Sequence, residues 1–304
     1  MFSVSYTAIF IVSYILSAFS VYILWSVCTT TTRYLTYFMT SSKVLNCLVL
    51  FMWNIVLQPE FLEEVICLRM HGIASNLSKY GIHLCVCAAL VIIKTVGINH
   101  VHIGIYYLLS FCFPDLEKLL FSVKYLSIAF FVYLFNGTLI FALVYESVNL
   151  EAFPTKNNVV CYMFSSQQHS KYIVISSCAL MGCQLFLATV MITLVLRSIR
   201  KNQTTANKEK IRNVTRTMIV FSLIPIVMAV IPFASIFIWS LFVNSSRALA
   251  LFSNVASHVA VLYYSVLTTA ALFRIKTYRC AVLNLLPYRT VVQPIAIRST
   301  DMAN

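Results

Sequence analysis

Apolar residues in this chain come in runs of membrane length, separated by short polar stretches. A membrane-crossing helix needs about 20 mostly apolar residues. Seven stretches meet that length: 5–27, 44–68, 81–113, 124–144, 172–196, 217–242 and 249–273. The predicted fold is all-α, a seven-helix bundle forming a single membrane domain over 1–304, with 274–304 as its tail. The first run lacks a basic leader and a small-residue cleavage site, so it is expected to stay as a helix. The second is broken by Pro59. The third is too long for one perpendicular crossing and predicts a tilted helix that projects beyond the bilayer. In the sixth, Pro225 and Pro232 stand on one helix face. Each removes an intrahelical hydrogen bond and permits a bend, which makes them the expected hinge. After Phe273 the stretch RIKTYRCAVLNLLPYR sets bases beside Val282, Leu283, Leu285 and Leu286. That pattern predicts a short amphipathic helix on the inner leaflet, with Cys280 placed for palmitoylation.

Charge sets the expected orientation. Arg197, Arg200, Lys201, Lys208, Lys210, Arg212 and Arg216 crowd between the fifth and sixth runs against one acid, Glu209. The first, third and fifth connections plus the tail carry sixteen Lys and Arg, Arg33 and Lys43 among them, while the opposite face carries five. Basic loops stay on the cytoplasmic side, so the N-terminus is expected outside and the C-terminus inside. Composition agrees: 60% of residues are hydrophobic and 10% charged, against about 25% charged in soluble domains. The net charge of +13 lies mostly in short loops, where anionic lipid explains it and nucleic acid does not.

Few residues within the runs could carry chemistry. Lys94 is the most expensive, since a charge at the bilayer centre costs about 2.5–3.5 kcal/mol on insertion scales. It is expected to line a ligand pocket, to latch helices together or to snorkel to the inner headgroups. Asn254, Ser257 and His258 make a polar stripe on the seventh run, with Gln184 and Ser222 as expected partners across the bundle. Such contacts serve as glue between helices or as ligand contacts. Glu60, Glu63 and Glu64 end the second run, and Glu60 and Glu64 would share a helix face. Cys161, in the long outer loop, is expected to bridge to Cys85, with Cys67 as the rival partner in an oxidising exterior. Asn76 and Asn244 head glycosylation sequons in expected outer loops. No HExxH, GxSxG, phosphate-binding loop or GxGxxG occurs, and neither metal nor cofactor is expected. A transporter or channel subunit, or a non-signalling receptor-like protein, is the alternative reading, although internal repeats and a pore-lining ring are lacking.

Four segments resemble the nematode serpentine chemoreceptors, the Str-type superfamily of seven-helix receptors, nearest its class H and class I branches. TTRYLTYFMTSSKVLN is similar to that group's first inner loop and LFMWNIVLQPEF to its aromatic second span. KIRNVTRTMIVFSLIPIVMAVIP is similar to the basic approach to a proline-bearing sixth span, and LTTAALFRIKTYR to the seventh-span exit. INHVHIGIYY lacks the acidic–Asn–Arg cluster frequent at the end of the third span, and His258 is followed by Val259 where Gly is usual. Asp-Arg-Tyr and Asn-Pro-x-x-Tyr are missing as well. The resemblance implies a G protein-coupled chemosensory receptor in the plasma membrane of sensory neurons, in their cilia. It implies a small-molecule cue as ligand and a heterotrimeric G protein as partner, contacted through Arg200, Lys201, Arg212 and Arg216.

Overall fold

The computed structural model describes residues 2–27, 33–62, 66–112, 119–120, 122–151, 157–162, 219–220, 223–242, 247–274 and 276–285, with isolated positions between 182 and 197. Seven helices are described: α1 (Phe2–Ser26), α2 (Arg33–Phe51), α3 (Lys79–Cys112), α4 (Val123–Glu146), α5 (Ile231–Phe242), α6 (Arg247–Arg274) and α7 (Lys276–Leu285). Five segments are long and apolar enough to cross a membrane: Val4–Ser26, Thr36–Leu57, Lys79–Ile103, Val123–Glu146 and Arg247–Arg274. The amphipathic tail helix expected after Phe273 is α7, and Cys280 is exposed on it. The fifth predicted run falls almost entirely outside the described residues, as does the basic loop after Arg197.

The second run departs most from expectation. Its helix begins at Arg33, so Lys43 is not a loop base but a buried residue within α2, 4% exposed. α2 continues as a π-helix over Met52–Leu57 and stops at Gln58, whose backbone is left-handed at φ 46° and ψ 62°. The Gln58 N–H donates to the Trp53 carbonyl at 2.9 Å, and Pro59, lacking an N–H, cannot extend the helix. The apolar residues beyond it are strands.

Those strands add a small sheet to a fold that is otherwise mostly helical, as expected. β1 (Pro59–Phe61), β2 (Ile66–Met70), β3 (Val148–Asn149) and β4 (Val159–Tyr162) form one antiparallel sheet in the order β1-β2-β4-β3. Glu60 therefore lies on a strand and has no helix face to share, while Glu63 and Glu64 lie outside the described residues. Its carboxylate meets His71 Nε2 at 2.8 Å and Arg69 Nη1 at 3.4 Å.

The sheet joins the connection after α2 to the one after α4, so both lie at one end of the bundle. Cys67 pairs with Cys161 in register, and their sulfurs are bonded. The expected Cys85–Cys161 bridge is thereby corrected, since Cys85 is a free thiol on α3. Cross-strand neighbours present their Cβ atoms to each other, a proximity that Cys85, on a helix, does not share. The inner face of the sheet belongs to the helical core: Leu68, Met70, Val160 and Tyr162 pack with Trp53, Leu57, Ile82 and Tyr264.

Helix directions follow from the contacts. α1 starts at the sheet, where Tyr6 Oη donates to the Pro59 carbonyl at 3.2 Å. α6 also starts there, and the far ends of α1 and α6 meet where Ile23 and Leu24 pack against Leu272 and Tyr278. Between them α2 runs toward the sheet, α3 away from it and α4 toward it.

Candidate functional site

Small polar side chains distinguish the described interior. On α1, Ser13, Ser17 and Ser20 recur at helical spacing and are buried, as are Ser253, Ser257 and Thr268 on α6. Ser13 Oγ bonds Ser265 Oγ across this seam. Small residues let two backbones approach, and hydroxyls can hydrogen-bond across the contact without a large cavity.

At the sheet end the seam becomes a network. Trp53 Nε1 donates to Ser257 Oγ at 2.8 Å, and the Tyr6 hydroxyl lies 3.1 Å from the same oxygen. His258 stacks on Tyr6 with ring centroids 4.2 Å apart. His258 Nδ1 lies 2.8 Å from the Asn254 carbonyl, which can only accept, so Nδ1 carries a proton. In the neutral ring Nε2 then accepts from Ser5 Oγ at 3.1 Å.

Asn254 does for β1 what another strand would do. Its Oδ1 accepts from the Phe61 N–H at 2.9 Å and its Nδ2 donates to the Phe61 carbonyl at 3.0 Å. The side chain so satisfies both backbone groups at the end of an edge strand. Asn254→Leu should strand them and lower stability by about 1–3 kcal/mol. The expected result is a depressed unfolding midpoint in detergent, with exposed Val255→Leu as the unaffected control.

A second joint ties the sheet to α3 and α4. His83, fully buried, has Nε2 3.2 Å from the Tyr145 carbonyl and Nδ1 3.1 Å from the Tyr162 hydroxyl. The carbonyl requires Nε2–H, leaving Nδ1 to accept from Tyr162. Burial pushes the Tyr162 phenol well above its ordinary range, and the nearby Cys87 thiol adds to this. Tyr162 therefore stays a hydrogen-bond donor.

The remaining expected residues separate. Asn254 and His258 are together, but their partners here are Phe61, Ser5 and Tyr6; Gln184 and Ser222 lie outside the described residues. Lys94 is on α3 with its ammonium nitrogen enclosed. Pro225 opens a π-helix over Ile226–Val230, and Pro232 is the second residue of the α-helix that follows. Asn76 is exposed at the end of the 3-10 turn Ile73–Asn76. Asn244, Arg200, Lys201, Arg212 and Arg216 lie outside the described residues.

Sequence reasoning missed Tyr6, Trp53, His83 and Lys43. The serines of α1 carried a usable signal, because Ser13, Ser17 and Ser20 mark a single face of an otherwise apolar helix. No protein-family model matches the chain, and no curated protein matches it either.

Proposed function

We propose that the chain is a seven-helix, G protein-coupled chemosensory receptor of the plasma membrane, with its N-terminus outside. The observation that carries this reading is the form of the sixth apolar run. It is π-helical over Ile226–Val230, between Pro225 and Pro232, and the most basic loop precedes it. A π-helical turn is a frequent mark of functional sites, and proline removes the hydrogen bonds that would resist bending there. Arg200, Lys201, Arg212 and Arg216 are the proposed G-protein contacts on that loop.

Three further observations support the topology. α1 and α6 both start at the sheet, which fits an even number of crossings between 162 and 247. Two apolar runs, 172–196 and 217–242, are available to supply them. The Cys67–Cys161 bridge belongs in an oxidising compartment, which favours an extracellular sheet. Exposed Asn76 is at the same end. Moving Lys43 from loop to helix interior leaves fifteen bases against five, and the bias keeps its sign.

A small cue entering from the sheet side would act by binding one packing of the helices better than another. Asn254, His258 and Lys94 are the described residues nearest to such a role. The test is an agonist screen with a G-protein readout, run beside solute flux in reconstituted vesicles. Signal from the parent and none from an Arg212→Gln, Arg216→Gln chain that inserts normally is the expected result. Flux without any G-protein dependence would replace the receptor reading with a transporter.

A further inference from the structure

Lys43 carries a charge into the described interior, where it is 4% exposed. Its ammonium donates to Thr268 Oγ1. That hydroxyl spends its own proton on the Tyr264 carbonyl at 2.8 Å, so it can only accept from the lysine. An ammonium has three donors, and this contact takes one. Among the described residues no carboxylate pairs with it. The nine acids of the chain fall at or beyond the ends of the described spans, and residues 163–246 contain only Glu209. Glu146 ends α4 at the sheet, whereas Lys43 and Thr268 lie in the opposite half of the bundle.

A second observation is independent of the lysine. Asn46, one turn further along α2, is 1% exposed, and neither its Oδ1 nor its Nδ2 has a partner. Either orientation of the amide therefore leaves an N–H group undonated. Buried polar groups in native proteins are almost always hydrogen-bonded, so a set left open calls for an occupant. Positive charge and spare N–H donors, with no paired carboxylate among the described residues, select an anion. Enclosure between helices restricts it to a small one.

We propose that the half of the bundle remote from the sheet holds a small monovalent anion of the halide class, bound by Lys43 with Asn46 one turn along the same helix. The anion is the counter-charge of the Lys43 ammonium, whose hydrogen bond to Thr268 Oγ1 ties α2 to α6. The site stands whether or not the protein signals.

The full chain, purified in detergent, is unfolded thermally in sodium chloride, sodium bromide or sodium gluconate at matched ionic strength. A ligand that binds only the folded state raises the midpoint with its concentration. Chloride and bromide should give a saturable rise of about 3 °C or more over gluconate. In Lys43→Met the three salts should give one midpoint. Equal midpoints for the parent in chloride and gluconate overturn the proposal and leave water or an uncharged amine at the site. A chloride response that survives in Lys43→Met overturns it too. Lys43→Gln replaces the Met variant if that one does not fold, and the parent comparison decides by itself if neither does.

Discussion

Gly72→Ala should leave the chain unable to reach the cell surface. A Cβ at this position would lie 2.4 Å from the Ile55 carbonyl oxygen and 2.5 Å from that of Val56. Both are backbone atoms of the π-helix that ends α2, so no side chain can rotate away to relieve the clash. The Gly72 N–H also donates to the Leu57 carbonyl at 3.1 Å, which holds the two segments at this separation. Overpacking of this kind costs about 1–3 kcal/mol, and more where the backbone must move. Here the movement would displace Trp53 from Ser257 and the hairpin from Asn254. Surface labelling of tagged cells is the measurement, with Ala74→Gly as a variant that introduces no clash. Gly72→Ala at parental surface levels, with a parental midpoint, would show that the hairpin does not pack against the π-helix at this distance.

Loss of the disulfide should have the other large effect. The bridge closes a separation of 94 residues containing all of α3 and α4. Chain entropy for a loop near that length gives about 4–5 kcal/mol, although measured bridges often contribute less. Cys67→Ser and Cys161→Ser should each lower the unfolding midpoint by a similar amount, and Cys85→Ser should leave it near the parent. Reductant should bring the parent down to the level of the two variants and leave them unchanged. An unchanged Cys161→Ser chain, or a Cys85→Ser chain as damaged as it, would reassign the pair.

Much of the helical architecture was legible because its signal is collective. An apolar run of 25 residues such as α1 has few soluble alternatives, and the tail helix announced itself by pairing bases with aliphatic residues. What misled was the stretch after Leu57. PEFLEEVICLRM is apolar enough to extend a span, and a short buried strand cannot be told from a helix by hydropathy alone. Pro59 was the clue, read as a break within a helix when it marked the helix end. The disulfide followed the same error: with Cys67 placed at the end of a span, its approach to Cys161 in a sheet could not be seen. Lys43 was misread for a different reason. Its charge and the Thr-rich residues before it resemble a loop, while burial of an ammonium against Thr268 depends on α6, more than two hundred positions away in the chain. His83 gave no pattern, since one histidine in an apolar helix matches many environments.

The double hydrogen bond from Asn254 to Phe61 has a mechanical consequence. It registers α6 against the sheet to within a fraction of a residue, and Trp53 and Tyr6 fasten the same turn of α6 to α2 and α1. Sliding any of these elements breaks several hydrogen bonds together, each worth about 0.5–1.5 kcal/mol net. α4 is fastened differently. Within this helix only Asn136 and Ile140 are buried, so beyond the bonds of Tyr145 to His83 and Tyr80 at its sheet end, displacing it works against apolar packing that lipid chains can replace. The bundle is therefore stiff on one flank and compliant on the other, and a force applied to the hairpin would be delivered first to α6.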